Sequence, residues 1–137
     1  MKPSTAPKTI LVVDDCAGVC EVIHILLSRV GYHVLTATNG HDALRLARRT
    51  PEIDLLLCNS EMPGMRGEEV AVRFEVLHPS APVVFLSSYD ASPDPAEACE
   101  IIPKPFTLAQ LRDTVHRALR TRPARAEIAH TEIAHAA

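Results

Sequence analysis

Short apolar runs alternate along the chain with longer segments in which apolar residues recur at helical spacing. Five runs predict buried strands because they are short and have no polar face: TILVV (9–13), YHVLTA (32–37), IDLLLC (53–58), PVVFL (82–86) and EII (100–102). Strands of this kind, alternating with helices, are typical of a parallel sheet covered by helices on both faces. The pattern therefore predicts a doubly wound α/β fold.

The helical segments lie between and after these strands. The first is expected to end at Gly31, a residue type that commonly follows the last turn of a helix. Its predicted inner stripe consists of Val19, Val22, Ile23, Leu26, Leu27 and Val30. Two further helices are predicted over 41–50 and 68–77. The last helix is expected to begin with a capping box formed by Thr107 and Gln110. Its predicted inner stripe is Leu108, Leu111, Val115 and Leu119.

Composition limits the class of protein. With 137 residues, 47% of them apolar, the chain is long enough for one domain with a substantial core. A formal charge of −3 gives no reason to expect a nucleic-acid partner. No apolar run is long enough to cross a membrane, and MKPSTAPK lacks the apolar centre of a signal peptide. We therefore expect a cytoplasmic protein whose four cysteines are reduced thiols.

The apolar pattern also predicts the limits of the folded domain. Residues 1–7 are expected to be an N-terminal extension and residues 8–120 the folded domain. The stretch EIAHTEIAHAA, in the tail over 121–137, nearly repeats a five-residue unit and has too little apolar bulk to pack. We expect a frayed helix or a disordered tail there, with a regulatory tail as the alternative. No DNA-binding or catalytic segment follows in this sequence, so an effect through partners is expected.

Polar side chains follow four of the predicted strands. Asp14 and Asp15 follow the first strand, Asn59 the third, Ser87 the fourth and Lys104 the fifth. Ligands of open parallel sheets bind outside the carboxyl ends of the strands. Oxygen ligands suit Mg²⁺, whereas a hydroxyl and an ammonium group suit phosphoryl oxygens. Each residue alone is more often an ordinary loop or cap residue, and only their combination indicates a site.

The stretches ILVVDD, GYHVLTATNGHDAL, IDLLLCNSEMPGMRGEE, PVVFLSS and KPF resemble those of a known family. Over residues 8–120 the chain resembles the receiver domain of bacterial two-component response regulators. The resemblance implies a flavodoxin-like sheet of five parallel strands in the order 2-1-3-4-5, with five helices. It also implies that a histidine kinase transfers a phosphoryl group to an aspartate of the domain, with Mg²⁺ bound.

The resemblance assigns roles to individual residues. Asp14 and Asp15 match the acidic pair that holds Mg²⁺, and Glu61 lies where a backbone carbonyl would be a further metal ligand. Ser87 matches the switch hydroxyl that follows the phosphoryl group. Lys104 matches the lysine that contacts the phosphoryl oxygens, and its bond to the next proline matches one that is cis in the family.

Asn59 lies where the family has its acceptor aspartate, and where that aspartate would also contact the metal. An amide is not a carboxylate nucleophile, so no acyl phosphate is expected. With one of three negative charges missing, Mg²⁺ binding is expected to be weak or absent. Ile101 replaces the family's switch aromatic residue, and Glu97-Ala98 replaces a Gly-Ala pair. The short segment between Ser87 and Lys104 predicts a shortened fourth helix.

These departures favour a receiver domain that is not an enzyme and is not phosphorylated at Asn59. Its partners are expected to be a histidine kinase or another signalling protein, contacted through its surface. With one carboxylate fewer in the pocket, Lys104 is expected to turn toward Asp14 or Asp15. The sequence does not specify the oligomeric state.

Two other hypotheses remain open. The domain could be a conventional phosphoacceptor in which Asn59 replaces aspartate through engineering or a coding change, or in which Ser60 is phosphorylated. Ser60, however, should face away from residue 59 along the strand. The second hypothesis is a Zn²⁺ site formed by Cys16, Cys20 and His24, which recur every four residues. The alternative is that these three are ordinary residues on an exposed helix face.

Overall fold

The computed structural model describes residues 6–88 and 100–121. Within these ranges the elements are β1 (Thr9–Val13), α1 (Ala17–Val30), β2 (His33–Ala37), α2 (Gly40–Arg49), β3 (Leu55–Asn59), α3 (Gly67–Leu77), β4 (Val83–Ser87), β5 (Glu100–Pro103) and α4 (Leu108–Leu119). The strands lie side by side in the order β2-β1-β3-β4-β5, and every neighbouring pair is parallel. The predicted flavodoxin-like sheet is confirmed.

The core has two halves, one on each face of the sheet. Successive side chains of a strand point to opposite faces, so each buried strand contributes to both halves. In β1, Leu11 and Val13 pack with α2 and α3, whereas Ile10 and Val12 pack with α1 and α4. Every residue of β1, β3 and β4 is buried. Helices therefore cover both faces, and only the ends of the central strands can present polar groups.

Local signals fix the ends of the helices. Gly31 has a φ of 115°, a left-handed conformation that favours glycine, and its N–H closes the last turn of α1 on Ser28. Asn39 accepts a hydrogen bond from the backbone N–H of Asp42 and so caps α2. The capping box predicted at the start of α4 is confirmed, since both of its reciprocal hydrogen bonds are present.

Three residues predicted to face the core are exposed. Val22 of α1 is 51% exposed, Val30 is 42% exposed and Leu108 is 43% exposed. A helix that lies on a sheet buries one stripe, and Val22 is about 100° around the helix from its buried neighbour Ile23. The prediction for β2 was also too simple. It is an edge strand with an exposed residue at its first position, His33, so it does not lack a polar face.

Several predictions concern residues outside the described ranges. Residues 89–99, between β4 and β5 in the sequence, include the Glu97-Ala98 pair and Cys99. The helix that was predicted to be shortened, which is not α4, also falls there. Most of the proposed N-terminal extension and of the tail also lies outside. Among the described residues, no helix combines the length and apolarity that crossing a membrane requires.

Candidate functional site

The sheet brings five of the predicted site residues to its carboxyl edge. Asp14 and Asp15 directly follow β1, and Asn59 is the last residue of β3. Ser87 ends β4, and Lys104 directly follows β5. The strand registers keep these ends level, because Val13 pairs with Cys58 and the residue after Cys58 pairs with Leu86. The polar groups therefore converge because each parallel strand stops at the same edge.

Asp14 and Lys104 form an ion pair across the site. The Lys104 Nζ lies 2.7 Å from Asp14 Oδ2, and the Asp14 side chain is almost fully buried. The other carboxylate oxygen, Oδ1, accepts a hydrogen bond of 2.9 Å from the backbone N–H of Cys16. The N–H of Lys104 donates to the carbonyl of Ser87, which anchors the lysine to β4. The predicted turn of Lys104 toward one of the two aspartates is confirmed, and the Lys104-Pro105 bond is cis as expected.

Asn59 is 3% exposed and uses its amide nitrogen twice. Nδ2 donates to Asp15 Oδ1 at 3.0 Å and to the backbone oxygen of Glu61 at 2.8 Å. The amide oxygen Oδ1 is buried and has no hydrogen-bond partner among the described residues. The amide therefore joins the end of β3 to the loop after β1 through its donor side only.

Ser87 and Glu61 form a contact that the sequence did not predict. The Ser87 hydroxyl donates to Glu61 Oε1 at 3.2 Å. Ser87 is buried, whereas Glu61 is exposed. Ile101 is half-buried and packs against the core half that contains Phe85 and Cys58. Ile101 is thus an aliphatic side chain that contributes to the core.

Ser60 is held by β4. Its backbone N–H and its hydroxyl both donate to the carbonyl of Leu86, at 2.9 and 3.2 Å. The loop after it approaches α3 closely, since the backbone N–H of Gly67 donates to the Ser60 carbonyl. Gly64 in this loop has a φ of 82°, which favours glycine. The Ser60 hydroxyl therefore makes a structural hydrogen bond to the neighbouring strand.

The Zn²⁺ hypothesis is contradicted by the position of Cys20. Its side chain is buried, and its single thiol hydrogen can be donated to the backbone oxygen of Asp14, 3.3 Å from Sγ, or to that of Ala37, 3.6 Å away. Cys16 and His24 are exposed, so the three side chains do not form one surface stripe. Across 6–88 and 100–121 no group of three His, Cys, Asp or Glu side chains is placed to hold a metal ion. Cys20 is a core residue that helps to support the backbone of the acidic pair.

The two buried thiols are poor nucleophiles. Burial raises the pKa of Cys20, and it raises the pKa of Cys58 to about 12. The Cys58 thiol donates to the backbone oxygen of Asn59, beside the site. Among the described residues, Cys16, Cys20 and Cys58 are free cysteines. A thiol that stays protonated at neutral pH is not a nucleophile, so neither buried cysteine adds covalent chemistry to the site.

Two supporting residues were missed in the sequence although signals for them exist. Cys20 lies three residues before Ile23 and seven before Leu27, which is the spacing of the buried stripe. Gly67 stands at the start of α3 in a loop that already contains Gly64, which is a signal for close backbone approach. The contact between Glu61 and Ser87 has no such signal, because it depends on the rotamer of an exposed side chain.

The parallel sheet, with an acidic pair after β1 and a lysine after β5, defines a class of α/β signalling domain. The family model described as response regulator receiver domain matches residues 10–116. The chain belongs to the response regulator receiver domain family. This match spans most of the folded part and includes the whole candidate site.

Individual relatives agree with this assignment. The transcriptional regulatory protein ZraR of Klebsiella oxytoca is 34% identical over 115 residues, which are 80% of this chain and 26% of that protein. The sporulation initiation phosphotransferase F of Bacillus subtilis is 30% identical over 115 residues, 80% of this chain and 92% of that protein. This chain thus spans about a quarter of ZraR but nearly all of the Bacillus protein.

A solved structure supports the same fold. The response regulator protein TrrA of Thermotoga maritima, in complex with Mg²⁺ and BeF, aligns with a TM-score of 0.72 and 32% identity. The alignment covers 81% of this chain and 98% of that one.

Proposed function

We propose that this chain is a two-component receiver domain that acts through protein contacts and is not phosphorylated at position 59. The observation that carries the proposal is the amide at the end of β3. Asn59 donates its amide hydrogens to Asp15 and to the Glu61 carbonyl, and it offers no carboxylate oxygen that could attack a phosphoryl group. The domain is then a binding module and not an enzyme.

The other site residues keep their family positions in this proposal. Asp14, Asp15 and the carbonyl of Glu61 correspond to the metal ligands, while Ser87 and Lys104 correspond to the groups that contact a phosphoryl group. Asp14 already forms an ion pair with Lys104, and Ser87 already donates to Glu61. These contacts support a pocket whose charges are satisfied without a phosphoryl group. Mg²⁺ binding is expected to be weak, because the third carboxylate is missing.

The proposed partners are a histidine kinase or another signalling protein of the cytoplasm, and neither nucleic acid nor a membrane. Residues 8–120 would form the receiver domain, with 1–7 as an extension and 121–137 as a tail. Contacts through a folded surface require no chemistry at the site. This proposal therefore predicts that signalling depends on the surface of the domain and not on its phosphorylation.

Incubation with a small phosphodonor and Mg²⁺, followed by intact mass measurement, tests the proposal. We expect no phosphoryl group on the wild type and a stable gain of phosphoryl mass on Asn59→Asp, which restores the nucleophile. Asn59→Ala is the matched control, since it removes the amide without adding an acid. A wild type that gains phosphoryl mass as readily as Asn59→Asp would contradict the proposal. Loss of that gain in Ser60→Ala would then identify Ser60 as the acceptor.

A further inference from the structure

The amide nitrogen of Asn59 contacts two oxygens that belong to the candidate metal site. Nδ2 carries two hydrogens, and it donates one to Asp15 Oδ1 at 3.0 Å and the other to the Glu61 backbone oxygen at 2.8 Å. Both acceptors are oxygen atoms of the kind that bind Mg²⁺. The donor capacity of the nitrogen is therefore used up on candidate metal ligands.

In the rest of the pocket, too, donor groups of the chain contact the carboxylates that would hold a metal ion. Lys104 Nζ lies 2.7 Å from Asp14 Oδ2, and the backbone N–H of Cys16 donates to Asp14 Oδ1. The acidic pair thus has donors from the chain itself: an ammonium and a backbone N–H on Asp14, and an amide on Asp15. A divalent cation would otherwise neutralise the negative charges of Asp14 and Asp15.

The residues as arranged do not fit a divalent cation. A cation that binds Asp15 Oδ1 and the Glu61 carbonyl must compete with Nδ2, because one lone pair of each oxygen already accepts a hydrogen from it. The amide oxygen could serve as a ligand only if the amide turned over, which would break both hydrogen bonds. In that orientation Oδ1 would approach two oxygens that have no hydrogen to donate.

The orientation of the amide follows from its neighbours. Asp15 Oδ1, when ionised, and the Glu61 carbonyl are acceptors only, so the nitrogen must face them if hydrogen bonds are to form. The cost of this orientation is visible at Oδ1, which is buried and without a hydrogen-bond partner in the described part of the chain. The two hydrogen bonds on the nitrogen side therefore outweigh an unsatisfied acceptor on the other side.

We propose that the Asn59 amide nitrogen is a built-in substitute for the divalent cation, and that it competes with Mg²⁺ instead of ligating it. This inference rests on the proposed function, because it takes the site to be a receiver's metal site. It adds that the amide of Asn59 occupies two of the metal ligands. The alternative is that Asn59 is simply a weaker oxygen ligand than aspartate. The two interpretations predict opposite effects of removing the amide.

The decisive measurement is a titration of the full chain and of its Asn59→Ala variant with Mg²⁺ as the only ligand. The backbone amide resonances report the affinity. If the amide competes with the cation, its removal frees Asp15 and the Glu61 carbonyl. Asn59→Ala should then bind Mg²⁺ roughly tenfold more tightly, the equivalent of about one net hydrogen bond that no longer has to be broken. If Asn59 is an oxygen ligand, Asn59→Ala should bind more weakly. Affinity that is equal or weaker in Asn59→Ala overturns the inference.

Two controls complete the experiment. Asp15→Asn removes a carboxylate ligand and should weaken Mg²⁺ binding both in the wild type and in the Asn59→Ala background. In the wild type, the side-chain amide protons of Asn59 should exchange slowly with water when Mg²⁺ is absent, since both are hydrogen-bonded. Rapid exchange of these protons would overturn the inference even if Asn59→Ala did not fold. Neither result depends on phosphorylation, so this inference and the proposed function can fail separately.

Discussion

Gly67 allows helix α3 to begin directly against the backbone that carries Asn59. A Cβ at this position would lie 2.2 Å from the backbone oxygen of Asn59 and 2.7 Å from the Cα of Ser60. Backbone atoms cannot move aside as the end of a side chain can. We therefore expect Gly67→Ala to lower the free energy of unfolding by about 1–3 kcal/mol, the range usual for overpacking. Urea denaturation measures this change as a lower midpoint.

Gly40 provides the matched control for this prediction. It is the first residue of α2, and a Cβ there would also be too close to its neighbours, but these are all side-chain atoms: Met65 Sδ at 2.7 Å, Val70 Cγ2 at 2.9 Å and Met65 Cβ at 3.0 Å. Met65 is an unbranched side chain with several rotatable bonds, so it can move. Gly40→Ala should therefore cost less stability than Gly67→Ala. Equal losses of stability would show that proximity to the backbone of Asn59 does not explain the cost of replacing Gly67.

At the scale of single residues, the sequence predicts where a site residue lies in the sheet better than which side chains it contacts. Asp14, Asn59 and Lys104 could be placed because each follows an apolar run that ends at the same edge of the sheet. The contact between Ser87 and Glu61 could not be predicted, since an exposed glutamate has many rotamers of similar energy. Cys20 was misplaced because its chemistry suggested a ligand, whereas its spacing relative to the buried stripe indicated the core.

Helix α4 is tied to β5 by one ion pair between Glu100 and Arg117. Arg117 Nε and Nη2 donate to the two carboxylate oxygens of Glu100 at 2.9 and 2.7 Å. These hydrogen bonds lower the pKa of Glu100 below its ordinary value of 4.5. The side chains are 38% and 58% exposed, so solvent screens the pair and its contribution to stability is small. The pair nevertheless gives the junction of β5 and α4 a defined pH dependence.

Arg117→Gln should lower stability at neutral pH, and the difference from the wild type should shrink in acid. A carboxyl group whose pKa is lowered on folding stabilises the fold above its ordinary pKa, here 4.5. That stabilisation is lost as the pH falls through the lower pKa of the folded state. Unfolding free energies across this acid range provide the measurement. Arg112→Gln is the control, since Arg112 pairs with its neighbour Asp113 within α4. A difference for Arg117→Gln that stays constant well below 4.5 would contradict the assignment.

At the scale of elements, the order and type of helices and strands could be predicted, but helix faces only approximately. The capping box at Thr107 is local in sequence and was found from two residues. The exposure of Val22 and Leu108 could not be found in this way, because the width of a buried stripe depends on how the helix lies on the sheet. The exposed first residue of β2 follows from its edge position, which is a property of the whole sheet.

At the scale of the whole molecule, side-chain contacts connect the ends of different strands at the site, and one of them crosses from β5 to β1 over the two strands between them. Lys104 after β5 reaches Asp14 after β1, and Asn59 of β3 reaches the residue after Asp14. Ser87 of β4 reaches Glu61 in the loop after β3. Alternation of strands and helices predicts a parallel sheet, but other strand orders would satisfy the same alternation. The order 2-1-3-4-5 came from the family resemblance, and it is this order that makes the contacts possible.

These contacts lead us to expect one conformation of the domain in place of a phosphorylation-dependent switch. Beryllofluoride with Mg²⁺ mimics a phosphoryl group when it binds an acceptor carboxylate, which Asn59 lacks. Ser87 already donates to Glu61, and Ile101 packs against the core as an aliphatic residue without a hydroxyl. Backbone amide spectra of the wild type should therefore change little when beryllofluoride and Mg²⁺ are added.

The control is to add beryllofluoride and Mg²⁺ to the Asn59→Asp variant. Restoring the carboxylate returns a ligand for beryllofluoride and removes the amide that donates to Asp15. The variant should then show shifts that begin at Ser87 and extend toward α4, because Ser87 and Lys104 would gain a new acceptor. If the wild type shows shifts of this extent, its switch is intact and a constant docking surface is excluded. If only the variant shows them, a single amide keeps this receiver in one state, and its partners must recognise the surface that this state presents.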